Sequence, residues 1–372
     1  MFKAIRRLFG GHNYQPLNKI EISKKNLFHN YKYLTSVNPQ IKIAPVLKSN
    51  AYGHGITLIA KALDRENCPF FCVDSLFEAY ELLKAKIKTP VLITGYIDPE
   101  NLKVKKLPFS YAVFDLDFAK AVNEYQKGAE VHIFVGTGMS REGVPLSQLA
   151  QFIKELKKLK NIRIAGLMTH FASADNPKSK LTQAQQSNFQ KAKQICLEHG
   201  LDSKWFHVGG SFALYNNLVD GVNLVRSGRA IYGLSGLNNN LKPLLSLKTK
   251  IAQIKKISKG AKVGYSETYV AKKDMVIGIL PIGYNDGVDR RLSNKGAVLV
   301  DGIKCPIIGL ISMNITTIDL SGIKNPKKGQ EVLVFSRDPK DPNSIEKAAE
   351  ACQTLQHDLL VHLSPFTRRE LV

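Results

Sequence analysis

The chain has 372 residues, 44% of them hydrophobic; the length predicts two domains, and without an apolar run of membrane-spanning length we expect a soluble protein with no transmembrane segment. Its five cysteines are odd in number and scattered, which argues against a disulfide framework or a zinc site and favours a reducing, cytoplasmic location. The formal net charge of +22 would permit nonspecific contact with nucleic acid, but no nucleic-acid-binding motif accompanies it, so we expect no specific nucleic-acid partner.

The chain begins with a basic segment, residues 1–16, in which apolar side chains at helical spacing alternate with Lys3, Arg6 and Arg7. The segment lacks the continuous apolar stretch and the cleavage site of a signal peptide. We expect a loosely ordered tail, with an amphipathic surface anchor or docking helix as the alternative.

Residues 17–242 alternate short apolar strands with amphipathic helices, a pattern typical of βα units and a parallel sheet. After a lead-in strand at 20–22, eight strand candidates follow in order: IAPVLKS, FFCVDS, PVLITG, YAVFD, VHIFVGTG, IAGLMTHF, WFHVGG and NLVRSG. Eight such strands predict a (β/α)8 barrel of the TIM type, with its functional residues at the carboxyl ends of the strands.

The first barrel strand places Lys48 at the start of the loop SNAYGHG. Partial desolvation lowers the pKa of a lysine amine, and the free amine can form a Schiff base with a carbonyl such as the aldehyde of pyridoxal phosphate. Tyr52 and the backbone amides around Gly53 and Gly55 are neutral donors suited to a phosphate. The alternative is a strand-end lysine that only extends its amine to solvent.

Three later strand ends add candidates for the same cofactor site. His170, in THFASAD, is either a structural residue or a support for a flat cofactor. Ser211 and nearby amides, in HVGGS, are suited to phosphate oxygens. The segment RSGRAIYG ends the eighth strand, where barrels often bind phosphate, so Gly228 and the amide of Arg229 suit that task and leave Arg226 to reach inward.

Residues 243–372 carry period-two strands broken by glycine turns, which predicts a second, mostly β domain. Its strand candidates are VGYSETYVA, DMVIGILPIGY, GAVLVDGIKCPIIGLISM, TTIDL and EVLVFSR. We expect one helix over residues 344–357.

Seven motifs in a shared order make the chain resemble the alanine racemase family, pyridoxal phosphate enzymes with a barrel followed by a β domain. The resemblance covers about residues 17–370 and rests on VLKSNAYGHG, VGTGMSREG, THF, VRSGRAIYG, VGYSETY, PIGYNDG and GLISMN. It implies an isomerase that uses pyridoxal 5'-phosphate to interconvert L-alanine and D-alanine and supplies D-alanine for peptidoglycan. It also implies a homodimer with shared active sites, because family members draw one base from the partner subunit.

The resemblance implies a two-base mechanism. Lys48 would hold the cofactor and act as the base on one face of the substrate, while Tyr265 would serve the other face. Arg226 would face the pyridine nitrogen and leave it unprotonated, because an arginine keeps its proton. The resulting electron sink is weak, which discourages transamination.

The remaining site residues follow from the same resemblance. The phosphate would be bound by Tyr52, Ser211 and the amides at Gly228 and Arg229, and His170 would support the ring. Arg141 and Met313 would lie near the substrate carboxylate. Tyr284 would narrow the entrance to the site, and no metal is implied.

Three positions depart from the family pattern. Phe134 stands where the family often carries a lysine, modified to a carbamate, that orients Arg141, and Gly136 stands where an aspartate is usual. Either another carboxylate or a bound anion then orients Arg141, or its grip on the substrate is looser. Asn314 replaces the aspartate usual after the methionine. Serine-accepting relatives are similar in this respect, so a serine or broad-specificity racemase is the alternative activity.

Two other classes share parts of the pattern. Barrel-type amino-acid decarboxylases have a glycine motif similar to FHVGG, but they use a cysteine–aspartate pair and an acidic residue at the pyridine nitrogen, where this chain has SMN and Arg226. A pyridoxal phosphate-binding protein without turnover is the second alternative. The β domain with Tyr265 argues against it.

Overall fold

The computed structural model describes residues 15–201, 203–234 and 240–372, so the predicted N-terminal tail lies outside the described residues except for its last two positions. The chain divides into two compact units. One is Ser23–Leu244, and the other joins the segment ending at Ile22 to Leu245–Val372. The predicted (β/α)8 barrel followed by a mostly β domain is confirmed. Within the described part of the chain, no helix is both long and apolar enough to cross a bilayer.

Among the described residues up to 234 there are ten strands, numbered in chain order. They are β1 (Lys19–Ile22), β2 (Lys42–Pro45), β3 (Phe71–Val73), β4 (Val91–Ile93), β5 (Phe109–Val113), β6 (Ala129–Gly136), β7 (Val144–Pro145), β8 (Ile162–His170), β9 (Trp205–Gly209) and β10 (Leu224–Ser227). Eight of them form one parallel sheet in the order β2-β10-β9-β8-β6-β5-β4-β3. A parallel bridge between Val46 and Cys72 joins its two ends and closes the barrel.

Helices connect these strands. They are α1 (Lys24–Val37), α2 (Ile56–Leu63), α3 (Leu76–Lys84), α4 (Pro99–Leu102), α5 (Leu116–Tyr125), α6 (Leu149–Leu156), α7 (Lys180–Glu198) and α8 (Ser211–Tyr215). Helix α3 begins at a capping box, because the Ser75 hydroxyl accepts from the Glu78 amide while the Glu78 carboxylate accepts from the Ser75 amide. Helix α6 buries one apolar face, formed by Leu149, Phe152, Ile153 and Leu156.

The interior of the barrel follows from strand alternation, since every second side chain of a strand points inward. Apolar interior residues form one cluster: Ala44, Phe70, Cys72, Leu92, Ala112, Phe134, Met168 and Leu224. Two residues beyond Leu224 the same row of β10 reaches Arg226, and two residues before Phe134 the row of β6 holds His132. The barrel therefore carries buried polar groups beside an apolar core.

The second unit contains the other ten strands. They are β11 (Leu245–Lys250), β12 (Gln253–Ile257), β13 (Lys262–Val263), β14 (Tyr269–Val270), β15 (Met275–Leu280), β16 (Ala297–Val300), β17 (Ile303–Pro306), β18 (Thr316–Asp319), β19 (Glu331–Phe335) and β20 (Arg368–Leu371). Together with β1 they form a six-stranded sheet, β17-β16-β19-β11-β1-β20, a three-stranded sheet, β12-β15-β18, and the pair β13-β14.

Strand β1 differs from the predicted domain bounds, which placed residues 17–242 with the barrel. It pairs antiparallel with β11 and parallel with β20. The side chains of β1 explain why it pairs in this sheet, because Ile20 and Ile22 are fully buried there. Glu21 between them lies 2.8 Å from the Lys19 amine and 3.1 Å from that of Lys248.

The prediction of one helix over residues 344–357 is wrong. Two helices occur there, α9 (Ile345–Cys352) and α10 (Gln356–Val361). Gln353 adopts the left-handed conformation, with φ of 54°, directly after α9. A left-handed residue ends an α-helix, so the chain must start a new one.

Candidate active site

A cavity of about 710 Å³ lies at the carboxyl ends of the barrel strands. Every predicted site residue that belongs to the barrel lines it: Lys48, Tyr52, Arg141, His170, Ser211, Arg226, Gly228 and Arg229. These residues come from the ends of five different strands, β2, β6, β8, β9 and β10, and the loops that follow them. The fold therefore brings the predicted cofactor-binding residues into one place.

Lys48 stands two residues after the closing bridge at Val46, and its Nζ lies 3.3 Å from Asp74 Oδ1. The next four residues, 49–52, are all left-handed, with φ between 52° and 54°. This conformation costs a non-glycine residue about 1–2 kcal/mol. Side chains hold the turn, since Glu78 accepts from the Ser49 amide at 2.6 Å and Asn50 accepts from the Ile56 amide at 2.9 Å. The turn directs Lys48 and Tyr52 to the same cavity.

Neutral donors gather at one end of the cavity. The Ser211 hydroxyl accepts from the Ala230 amide at 3.2 Å and lies 3.0 Å from the hydroxyl of Ser227, a fully buried residue. Burial raises the pKa of the Tyr52 phenol, which therefore stays protonated. A Cβ on Gly228 would lie 2.5 Å from the Tyr52 oxygen, so a side chain there would fill this space. Hydroxyl groups around a glycine cradle fit a phosphate.

Arg226 lies on the floor of the cavity and is 5% exposed. Its Nη2 donates to the Thr169 carbonyl at 2.6 Å, and its Nη1 donates to His207 Nδ1 at 2.9 Å. Burial lowers the pKa of the Arg226 guanidinium to about 10, which leaves it charged at neutral pH. A Cβ on Gly209 would lie 2.0 Å from His170 Nδ1 and 2.6 Å from Arg226 Nη2. Only a glycine at position 209 therefore leaves room for the side chains of both His170 and Arg226.

A pair of buried histidines supports Arg226. His207 Nε2 lies 2.8 Å from His132 Nδ1, and both side chains are at most 1% exposed. Burial, with a smaller effect of the Arg226 charge, lowers the pKa of His132 to about 3 and that of His207 well below its usual value. Because an arginine can only donate, His207 Nδ1 must accept. His207 Nε2 then carries the proton and donates it to His132 Nδ1.

Sequence reasoning did not find His132, His207 or Ser227. The available signal was a polar residue at an inward position of an apolar strand, as in VHIFV and WFHVG. A buried polar side chain requires a hydrogen-bond partner, so two such histidines on neighbouring strands predict a contact.

His170 faces the same cavity as a neutral group. Burial, with smaller effects of the positive charges of Arg226, Arg141 and Lys48, lowers its pKa to about 3. A histidine that is neutral at physiological pH fits the support of a flat ring.

Arg141 has a carboxylate partner, Glu142, whose Oε2 accepts from Arg141 Nε at 2.6 Å. Phe134 does not provide an anionic group at this place, because it belongs to the apolar cluster and is 4% exposed. Gly136 and the loop of residues 137–143 line a second cavity of about 230 Å³ beside the first. The sequence left open whether another carboxylate, a bound anion or neither orients Arg141. The structure contains another carboxylate, that of Glu142.

The other three predicted site residues belong to the β unit, and their roles stay predictions. Tyr265 lies in a short 3₁₀ turn, residues 265–267, between β13 and β14, rather than in one continuous strand, and is 69% exposed. Tyr284 and Met313 lie in neighbouring turns, because the Tyr284 amide donates to Ser312 at 3.1 Å and the Asn285 amide donates to Met313 at 3.0 Å. The segments PIGYNDG and GLISMN therefore meet within this unit.

Comparison with known proteins gives consistent results. Residues 22–236 match the family model for the alanine racemase N-terminal domain, and residues 244–371 match that for the C-terminal domain. The chain is 34% identical over 357 residues to the alanine racemase of Methanococcus maripaludis, covering 92% of this chain and 95% of that protein. It is 32% identical to the alanine racemase of Carboxydothermus hydrogenoformans, with coverage of 92% and 96%. The solved alanine racemase of Clostridium difficile 630 superposes with a TM-score of 0.90 at 29% identity, covering 97% of each chain.

Proposed function

Because this chain belongs to the alanine racemase family of isomerases, we propose that it racemises alanine with pyridoxal 5'-phosphate and two proton-transferring side chains, Lys48 and Tyr265. The observation that carries the proposal is the convergence of a lysine amine, a buried arginine and a set of neutral donors on one cavity. Each group matches one part of the cofactor.

The residues of the barrel cavity fit pyridoxal phosphate. Lys48 supplies the amine that would bind the aldehyde carbon. Ser211, Tyr52 and the amides at Gly228 and Arg229 would hold the phosphate around the glycine cradle. Arg226 would donate to the pyridine nitrogen and keep its own proton, because its pKa of about 10 lies above neutral pH. Neutral His170 would support the ring.

Racemisation requires proton transfer on both faces of the substrate. The cofactor, when bound, supplies the electron sink that makes the α-proton of the amino acid acidic. We assign the proton on one face to Lys48 Nζ and the proton on the other face to the Tyr265 hydroxyl. Tyr265 lies on the β unit and is largely exposed, which suits a residue supplied by the partner subunit of a homodimer. Arg141 would bind the substrate carboxylate.

We further propose that the enzyme acts in the cytoplasm and supplies D-alanine for peptidoglycan. All five cysteines are free and buried, in keeping with a reducing compartment. Alanine is the proposed substrate on the strength of the relatives above, and L-serine is the comparison substrate because Asn314 stands beside Met313.

The first experiment is to purify the chain with pyridoxal phosphate and record the absorbance of the lysine-bound cofactor. Chiral inversion of L-alanine and L-serine is then followed separately for the wild type, Lys48→Ala and Tyr265→Phe. We expect a cofactor band that Lys48→Ala abolishes, and alanine inversion that both variants lose. Faster inversion of serine than of alanine would replace the proposed substrate. A band without inversion of either would refute the racemase activity, and the absence of a band would refute the cofactor.

A further inference from the structure

We infer that Glu142 is a positioning residue that holds the Arg141 guanidinium ready for the substrate carboxylate, in place of a modified lysine. The inference rests on the proposed function, in which Arg141 binds that carboxylate. It concerns a residue that neither the motif pattern nor the comparisons assign.

The geometry of the ion pair leaves the substrate-binding side of Arg141 open. Glu142 Oε2 accepts from Nε, on one side of the guanidinium, at 2.6 Å. The two terminal nitrogens make no hydrogen bond or ion pair with another described residue. Because a guanidinium is planar, a contact at Nε restricts the orientation of Nη1 and Nη2, which together match the two oxygens of a carboxylate. Both residues line the 710 Å³ cavity.

Arg141 needs such a restraint because of its electrostatic surroundings. Arg226 lines the same cavity, and its guanidinium and that of Arg141 repel each other. The Arg141 side chain is 45% exposed, so burial alone does not hold it in the cavity. The Glu142 carboxylate offsets the repulsion with a charge next to Nε. Its own side chain is 31% exposed, so solvent screens the pair only in part.

The other residues near Arg141 do not offer this charge. Phe134 points into the apolar cluster opposite Met168, and Gly136 has no side chain. Asp74 is the ion-pair partner of Lys48, and Asp175, the other carboxylate that lines the cavity, acts on Arg229. Among the described residues, Glu142 is the carboxylate that contacts Arg141.

The backbone fixes the position of Glu142. The Asn188 amide group donates to the Thr137 carbonyl at 3.0 Å and anchors the start of the loop. At the other end, a Cβ on Gly143 would lie 2.6 Å from the Gly136 nitrogen, and its φ is +132°. The close contact and the positive φ each require glycine at residue 143. The backbone directly after Glu142 therefore packs against the end of β6.

The test compares Glu142→Gln with a matched control, Glu130→Gln, in enzyme saturated with pyridoxal phosphate. Glu130 also pairs with an arginine, Arg163, and is 33% exposed, but it stands at the opposite end of β6. We expect Glu142→Gln to raise KM for both alanine enantiomers roughly tenfold, with a change in kcat below about threefold. Inhibition by acetate, which offers a carboxylate without an amine, should weaken by a similar factor. Glu142→Asp, which keeps the charge, should fall between glutamine and wild type.

Removal of dissolved carbon dioxide provides the second arm, because a carboxylate side chain does not depend on it. We expect wild-type KM to be the same in carbon dioxide-free buffer and with added bicarbonate. A bicarbonate-dependent KM would overturn the inference, because a bound anion would then orient Arg141. Unchanged KM and acetate inhibition in Glu142→Gln would also overturn it, provided that wild type and Glu130→Gln racemise alanine. A wild type that racemises no amino acid would instead refute the proposed function, since it removes the premise rather than the role of Glu142.

Discussion

Replacing His132 with asparagine should reduce by about one the number of protons that the protein takes up when it unfolds at pH 5.5. The pKa of His132 is about 3 in the folded protein because the ring is buried beside Arg226. In the unfolded chain it returns to about 6.5, so at pH 5.5 the unfolded ring carries about 0.9 proton and the folded ring almost none. Asparagine offers His207 an acceptor near the position of Nδ1 but does not titrate.

The same numbers give the effect on stability and its sign. A folded-state pKa below the unfolded value favours the folded protein at high pH. The contribution is fully present above pH 6.5 and is lost as the pH falls toward about 3. Between pH 8 and pH 5.5 the loss from His132 amounts to about 1.4 kcal/mol in the free energy of unfolding. His170 and His207 have the same direction of shift and steepen the dependence.

The measurement is the pH change on unfolding in guanidinium chloride, in weakly buffered solution started at pH 5.5 and at pH 8.0. Circular dichroism of both proteins before unfolding provides the control for folding. Contributions from carboxyl groups and from released cofactor are common to both proteins and cancel in the difference. The reasoning fails if wild type and variant take up equal numbers of protons at pH 5.5, because His132 would then be charged in the folded protein.

Two further substitutions test how the cavity is built. Gly209→Ala would place a methyl group 2.0 Å from His170 Nδ1 and should both destabilise the protein by about 1–3 kcal/mol and weaken pyridoxal phosphate binding. Gly322→Ala, whose added Cβ meets nothing closer than 3.9 Å, is the control; equal cofactor affinity in the two variants would contradict the steric argument. Glu78→Ala removes the acceptor of three backbone amides and should lower the free energy of unfolding by about 1–3 kcal/mol in denaturant titrations. Glu81→Ala, which loses one exposed ion pair, should lower the free energy of unfolding by less than about 1 kcal/mol. An equal loss in the two variants would show that Glu78 does not support the turn after Lys48.

The barrel was predictable because the sequence patterns that specify its strands and helices are local. Alternation of apolar strands with capped helices appears in short windows, and Lys48 and Arg226 stand at strand ends that those windows define. The left-handed turn after Lys48 could not be predicted, because none of its residues is a glycine and its support comes from Glu78, on another element. The assignment of β1 to the β unit depends on ladder partners more than 200 residues away.

The site was predictable to the same extent. Residues that follow a strand end were found, whereas His132 and His207 lie inside strands whose composition is apolar overall. Their role follows only from the register that brings them within 2.8 Å. Glu142 was within reach of sequence reasoning, since it neighbours Arg141, but the choice between a carboxylate and a bound anion required the side-chain contact.

The pairing of β1 determines the order in which the chain can fold during synthesis. The ladder of β1 with β11 leads directly into the barrel unit, whose first amide, at Ser23, donates to the Leu244 carbonyl at 2.9 Å. In the sequence, the barrel unit is thus inserted between the paired strands β1 and β11. It is complete once residue 244 has left the ribosome. Strand β1 gains its first partner once Lys250 has emerged, but it must wait much longer for the second, which begins at Arg368. A nascent chain stalled between these points carries a finished barrel and a strand β1 whose second edge is still open, so the β unit is completed after the barrel.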